Sequence, residues 1–479
     1  MPVYMQIYFA SAVFLVTYAI IVSEKLHRAV VALVGAALIA ATKILDPEEA
    51  IQAIDFNTLG LLVGMMIIVG ITRQTGVFEY LAIKAAKSSK GQPLKIMAAL
   101  SLVTAMLSAF LDNVTTVLLI VPVTFAIAQK LRISPIPILI AEIISSNVGG
   151  TATLIGDPPN IMIGSAAHLG FMDFIINLTP IILLIYIVTL TLLRLIYRTQ
   201  LIANPERQKS IMELNENNEL KDMKLLRKCL LVLALTIAGF ALHQLLHLES
   251  SVIALSGASL LLLISKEDPE HALHAVEWPV IFFFIGLFVL VGSLEKVGII
   301  AMVAAKSLEL TGGVMIPTAM LILWLSGIAS AFVDNIPFVA TMIPLIKDMG
   351  QLMGVTDPSM LNVFWWSLSL GACLGGNGTV IGASANVVVV GMAEKRGASI
   401  SFMGYFKVAF PLMLISLVLS SVYMVLWYSY SPEFTIGITL LAAAVVGIGF
   451  KPINKALEKK AVKQQIASDQ KPPVVLAKR

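Results

Sequence analysis

The chain has 479 residues, of which 58% are apolar and only 13% charged, with a formal net charge of +4. An ordinary soluble domain carries roughly 25% charged residues, so the composition excludes a surface wetted all round and makes the bilayer the solvent. Lys and Arg fall in short clusters between apolar stretches, which argues against a nucleic-acid partner, and the two cysteines, Cys229 and Cys373, lie in apolar segments that offer neither a disulfide framework nor a Cys-rich metal site.

In chain order, the first apolar stretch begins at Met5 with no basic residue before it and no small-residue cleavage site after it, and reads as a spanning helix over 6–22. Further helices are predicted over 28–44 and 57–74, followed by an amphipathic surface helix over 77–90. The apolar segment 94–130 carries Asp112-Asn113 near its middle and reads as two antiparallel half-helices that enter and leave on one side. Segment 136–165 is interrupted by Gly149-Gly150, Gly156 and Pro158-Pro159 and reads as a broken helix, before a last helix over 173–196.

The same unit then recurs. Asp46-Pro47-Glu48-Glu49-Ala50 returns 222 residues on as Asp268-Pro269-Glu270-His271-Ala272, and the same offset pairs Gly64 with Gly286, Asp112 with Asp334 and Asn113 with Asn335. Later the offset becomes 226, pairing Gly149-Gly150 with Gly375-Gly376, Thr153 with Thr379 and Asn160 with Asn386. The expected fold is an all-α polytopic membrane protein of two repeats, 5–200 and 226–430, each with five crossings, one re-entrant hairpin and one broken helix. An odd number of crossings inverts the second copy. A polar linker, 201–225, is expected to be cytoplasmic and mobile, an extra helix over 431–450 brings the total to about eleven crossings, and the basic tail 451–479 is expected to be disordered.

Charge supports this count. Arg73, Lys84, Lys87, Lys90, Lys95, Lys130 and Arg132 fall on one side with the linker and tail, while loops 45–56, 165–173 and 430–434 hold no Lys or Arg. Lys296, Lys306 and Lys347 are the exception. The expected orientation in a cell (inner or plasma) membrane has the N-terminus outside and the C-terminus in the cytoplasm.

Lipid cannot satisfy unpaired backbone groups, so helix breaks at membrane depth belong where protein or a water-filled cavity surrounds them. The candidate binding residues are therefore Asp112, Asn113, Thr115 and Thr116 at the first tip; Asn147, Gly149, Gly150, Thr151, Thr153, Asp157 and Asn160 at the first break; Asp334 and Asn335 at the second tip; and Gly375, Gly376, Asn377, Thr379 and Asn386 at the second break. Half-helix N-termini suit an anion, and the unwound carbonyls with Asn, Thr and Asp oxygens suit a small hard cation, sodium at Asp112, Asn113 and Asn147 being one such site. A charged Asp at the bilayer centre costs about 2.5 to 3.5 kcal/mol on insertion scales, so two at equivalent positions point to function, as proton carriers or cation ligands. Each could equally cap a half-helix. Glu142, replaced by Leu368 in the second repeat, is a third proton-relay candidate or a cavity-facing carboxylate with a local partner. Asp157, replaced by Ala383, either lines the site asymmetrically or terminates a half-helix ahead of the prolines. Cys373 is read as a packing residue before an arsenic ligand. No Gly-x-x-x-x-Gly-Lys-Ser/Thr loop is present to drive transport by ATP within this chain, and no cofactor is expected beyond sodium or protons as coupling ion.

Phe110-Leu111-Asp112-Asn113-Val114-Thr115-Thr116, the run from Ser146 to Asn160 that ends Gly156-Asp157-Pro158-Pro159-Asn160, and Gly371-Ala372-Cys373-Leu374-Gly375-Gly376-Asn377-Gly378-Thr379 resemble the P-protein branch of the ion transporter superfamily. That branch sits beside the arsenite permeases and NhaD-type sodium/proton antiporters, with citrate-transporter-like domains and more distant dicarboxylate transporters. The resemblance covers nearly the whole chain. It implies a non-enzymatic secondary transporter of elevator or rocking type, whose tips and breaks hold substrate and coupling ion. It also implies a homodimer among the candidate assemblies, and a separate energising subunit were the substrate arsenite. Dicarboxylate relatives carry neutral Ser-Asn-Thr tips, whereas these tips read Asp-Asn-Val-Thr and Asp-Asn-Ile-Pro, which favours sodium/proton exchange ahead of arsenite or antimonite efflux and of an organic anion.

Overall fold

The computed structural model describes residues 2–23 and 25–449, and these form helices without a β-strand among the described residues. The first repeat runs α1 (Val3–Val22), α2 (Arg28–Ala41), α3 (Pro47–Gln52), α4 (Phe56–Gln74), α5 (Val77–Ser88), α6 (Pro93–Ser108), α7 (Asn113–Leu131), α8 (Ile136–Gly150), α9 (Pro158–Ala167) and α10 (Phe171–Tyr197). After α11 (Pro205–Met212) and a 3-10 turn at Glu216–Glu219, the second repeat gives α12 (Met223–Leu246), α13 (Ser250–Ser265), α14 (Pro269–Leu273), α15 (Trp278–Lys296), α16 (Ile299–Thr311) and α17 (Met315–Phe332). It continues through α18 (Asn335–Leu352), α19 (Asn362–Gly375), α20 (Ser384–Lys395) and α21 (Phe402–Ser429). A final helix, α22, spans Pro432–Gly449. Among the described residues nine helices are long and apolar enough to cross a bilayer, and α2, α6, α8 and α13 are shorter apolar helices. The basic tail expected over 451–479 lies outside the described residues.

Helix lengths explain the re-entrant hairpin. Only residues 132–135 separate α7 from α8, so α7 ends and α8 starts on one side of the membrane. At about 1.5 Å per residue, α8 rises roughly 22 Å before it breaks at Thr151. The tip joining α6 to α7 meets that break, with the Asn113 Nδ2 donating to Asn147 Oδ1 at 3.2 Å. The hairpin therefore turns back at the depth where α8 stops, and α9 completes the crossing. The same construction recurs in α17–α18 and α19–α20.

The two repeats interlock rather than abut. α4 packs against α13 of the second repeat, and α2 of the first against α15. Both contacts are made at a glycine: a Cβ on Gly64 would lie 2.6 Å from the Ala254 carbonyl carbon, and a Cβ on the equivalent Gly286 would lie 2.6 Å from that of Ala32. Small residues let backbones approach where lipid gives no hydrophobic drive to association. The hairpins also cross over, with α18 against α9 and α20 against α7. Four helices from two repeats thus converge on one point.

The linker departs from expectation. It is not a free polar strand but a strap bound to the surface helix α5. Lys87 pairs with Glu216, whose carboxyl this bond holds below the usual carboxylate range, and the Lys221 amide donates to the Thr75 carbonyl at 3.0 Å. Ile211 of the linker is itself fully buried. Gly76, at φ 76°, lets Glu219 approach so closely that a Cβ would sit 1.8 Å from its carbonyl oxygen. Two of the three basic residues that break the charge rule pair with acids: Lys296 with Glu49 and Lys306 with Glu309.

Because backbone cannot yield as a side chain can, Gly64→Leu and Gly286→Leu are expected to cost about 1–3 kcal/mol or more and to broaden the size-exclusion profile in detergent. Gly391→Ala is the control, since nothing lies within 4 Å of its added Cβ. Thermal unfolding of the three variants in the same detergent checks this, and equal melting for Gly64→Leu and Gly391→Ala overturns it.

Candidate ion-binding site

Both helix breaks are held open by a buried asparagine acting as a bracket. Asn160 Nδ2 donates across the first break to the carbonyls of Thr151 (3.1 Å) and Thr153 (2.9 Å). Asn386 does the same at the second, to the carbonyls of Gly376 (2.7 Å) and Thr379 (2.9 Å). Unwinding frees main-chain acceptors that lipid could not satisfy, and a side-chain amide supplies the missing donors. Each break is then tied to the hairpin of its own repeat: Thr153 Oγ1 donates to the Ala109 carbonyl, and its equivalent Thr379 Oγ1 donates to that of Ala331. The glycines let this happen, since a Cβ on Gly149 would lie 2.2 Å from the Ala105 carbonyl oxygen and one on Gly375 2.4 Å from that of Gly327.

Asn147 joins the two halves. Its Nδ2 donates to Asn377 Oδ1 at 3.0 Å and to Asn386 Oδ1 at 2.9 Å, while its Oδ1 accepts from Asn113. Thr151 Oγ1 donates to the Asn147 carbonyl at 2.7 Å. On the far side, Asn160 Oδ1 accepts from Ser369 Oγ at 2.6 Å. These amides are almost wholly buried.

Beside this layer lies a small cavity lined by Asp112, Asn113, Asp157, Glu277, Asn335, Ser384 and Arg28, with Leu62 and Met66 from α4 closing one wall. Asp112 is the N-cap of α7 and accepts from the Thr115 amide at 2.8 Å, so capping and cavity lining coexist in one side chain. Asp157 takes the cap position of α9 but caps nothing. Instead Asn335 Nδ2 from the opposite tip faces both of its carboxylate oxygens at 3.4 Å. Of the two readings open for Asp157, lining the cavity is the one its surroundings favour. Asp334 caps Ile336 at 3.2 Å and also forms an ion pair with Arg28 Nη1 at 2.7 Å.

Other candidates stand apart from the cavity. Thr116 is buried with no hydrogen-bond partner for its hydroxyl. Glu142 is buried inside α8, where Thr124 Oγ1 donates to Oε1 and Oε2 is unpartnered; it does not line the cavity. Asn147 accepts from Asn113 but does not line the cavity that Asp112 and Asn113 line, so the three do not present one open ligand set. Cys373 is buried with Sγ 3.5 Å from Asn160 Oδ1.

Three polar lining residues were not among the sequence candidates: Arg28, Glu277 and Ser384. For Glu277 a signal existed, because it is the repeat equivalent of Asp55. Asp55 itself is spent locally, accepting from the Asn57 and Thr58 amides and from Ser165 Oγ. For Arg28 the signal is a cation at the first residue of a helix, the wrong end of the helix dipole, which calls for an anion nearby.

Comparison with known proteins places the chain among membrane transporters. The model of the citrate transporter family matches residues 18–371. A 46 kDa membrane protein of Mycobacterium leprae is 43% identical over 425 residues, covering 88% of this chain and 98% of the relative. A transporter of Mycobacterium tuberculosis, itself uncharacterized, is 44% identical over 426 residues with the same coverage of 88% and 98%. The human P protein is 36% identical over 503 residues, covering 88% of this chain but 60% of the P protein. Among solved structures, the YdaH transporter of Alcanivorax borkumensis aligns with a TM-score of 0.54 at 15% identity, covering 84% of this chain and 97% of that one, a likeness of fold alone.

Removing a bracket leaves buried acceptors without donors. Asn386→Ala strands two main-chain carbonyls and takes an acceptor from Asn147, and is expected to cost about 1–3 kcal/mol per group left unpaired. Thermal unfolding in detergent reads it, and a melting temperature within one degree or so of the parent would count against the bracket.

Proposed function

The chain belongs to the citrate transporter family, and from that premise we propose that this membrane transporter is a secondary active carrier that exchanges a small cation, sodium first, for protons by alternating access. One observation carries the reading: Asp112, Asp157 and Glu277 line a single cavity at the meeting point of two hairpin tips, and among the described residues Arg28 is the one basic side chain lining it. A site with that excess of carboxylates attracts cations or protons and repels a free di- or tri-carboxylate. Asn113 and Asn335 add neutral amide oxygens of the kind a hard cation accepts. Arsenite as substrate draws no support from the thiol, because Cys373 is not among the cavity's lining residues.

Alternating access needs a state open to one side. A second cavity, lined by Val22, Leu26, His27 and Arg28 at the α1–α2 turn, reaches Asp334 and Ser384, and Arg28 and Ser384 line both cavities. With the orientation that the charge distribution favours, this turn is cytoplasmic and the conformation is inward-facing. The interlocked α2, α4, α13 and α15 form the frame, and the hairpins with the broken helices form the part that carries the ion.

In proteoliposomes loaded with a pH-sensitive dye, addition of sodium or lithium is expected to drive a proton flux that Asp112→Asn lowers at least tenfold while the protein stays folded. A response to citrate or arsenite with silence for both cations would overturn the choice of substrate, and native rates in Asp112→Asn would overturn the role of that carboxylate.

A further inference from the structure

The two tip aspartates occupy equivalent positions in the repeats but differ in their company. Asp112 accepts from the Thr115 amide. Asp334 Oδ2 accepts from Arg28 Nη1 at 2.7 Å and from Ser384 Oγ at 2.9 Å, and Arg28 Nη1 also reaches Ser384 Oγ at 2.5 Å. This closed triangle joins the start of α2, the tip before α18 and the start of α20. Its asymmetry is written in the sequence: the repeat equivalent of Arg28 is Ser250, and that of Ser384 is Pro158. Neither replacement can supply a positive charge to the first tip.

Arg28 is well held on its own side. Its guanidinium lies over the Phe283 ring of α15, 5.1 Å from the centroid, and α15 is the helix against which α2 packs through Gly286. Such stacking fixes the plane of the guanidinium and leaves its edge to bind a carboxylate. The pair is not sealed, since the Arg28 and Asp334 side chains are 26% and 15% exposed and line the cavity that opens at the α1–α2 turn. Movement of the second hairpin relative to α2 must break the bond from Arg28 to Asp334, and movement of α20 with it must break the bond to Ser384 as well.

We propose that this triangle is a latch. Arg28 acts as a tethered counter-ion of the second tip and holds that hairpin against α2 in the conformation seen here, and the transported cation releases the latch by taking its place on Asp334. Asp112, with no such partner in its repeat, is left free to carry the ion through the cycle. Arg28 is thus a positioning residue that couples ion occupancy to movement. This rests on the cation reading for its trigger and on geometry alone for the tie.

The test uses the full chain in proteoliposomes with Val387→Cys as reporter, since Val387 lines the cavity beside the triangle and the native Cys229 and Cys373 are buried. The probe is a water-soluble maleimide. Arg28→Gln and Asp334→Asn are each expected to slow labelling at least threefold as the population leaves this conformation. The double variant should slow it no further than either single change, because one bond is lost only once. Arg28→Lys, which keeps the charge, should label like the parent. Full-rate labelling in Arg28→Gln, or additive effects in the double variant, overturns the latch. Sodium or lithium in place of choline should slow labelling of the Arg28 protein and leave Arg28→Gln unchanged. No response to either cation, with the non-additive pattern intact, overturns the cation trigger and keeps the latch.

Discussion

Every feature of this transporter's centre follows from the fact that a helix broken inside a membrane exposes carbonyls and amides that lipid cannot pair. A break is affordable only if the fold brings donors to it, and here Asn160 and Asn386 do so with two bonds apiece. Once the bracket exists, the rest of the site is constrained. The hairpin must stop at the depth of the break, glycines must line the contact, and the tips must face each other. Asn147 then welds the repeats by donating to both Asn377 and Asn386. The centre is thus tied across both repeats by side-chain amides, and these ties are neutral because they are made by amides rather than by charges.

Against that neutral, two-fold framework the ionisable groups are arranged without symmetry. Asp157 faces Ala383's position, Glu142 faces Leu368's, and Arg28 faces Ser250's. The repeats share the scaffold and the tip aspartates Asp112 and Asp334, whereas Asp157, Glu142 and Arg28 each stand on the first copy only. The result is a cavity in which Asp157 of the first repeat receives Asn335 of the second, and Asp334 of the second receives Arg28 of the first. Each tip is answered by a group from the other repeat, so relative movement of the repeats changes the company of both. A symmetric site would present the same chemistry to both sides of the membrane; this one can distinguish them.

The fold was legible because its signals are local or repeated. Apolar runs gave the spans, Gly and Pro clusters gave the breaks, and the offset of 222 residues turned Asp112-Asn113 and Asp334-Asn335 into a matched pair of tips. The bracketing asparagines were legible for the same reason. What the sequence concealed depends on pairings between distant segments. Arg28 and Asp334 are separated by 306 positions, and no local pattern links them. Glu277 holds the N-cap position of α15 as its equivalent Asp55 holds that of α4, and only the packing of distant helices places it at the cavity. The linker looked mobile because it is polar, yet its anchors, Lys87 and the Thr75 carbonyl, belong to another element.

The family's description speaks of citrate, but a fold does not fix a substrate, and it is charge that separates the candidate substrates. Two unit charges about 6 Å apart at an effective dielectric near 20 interact by about 3 kcal/mol, and a doubly charged anion beside one uncompensated carboxylate would pay about twice that. Arg28 could offset this only if it left Asp334, and doing so would bare that carboxylate to the adjoining cavity, which shares Arg28 and Ser384 with this one. Moving the guanidinium therefore relocates the excess of acid without reducing it. A carboxylate substrate would have to arrive protonated or with its own cations, whereas a lone cation or proton meets a site already built to attract it.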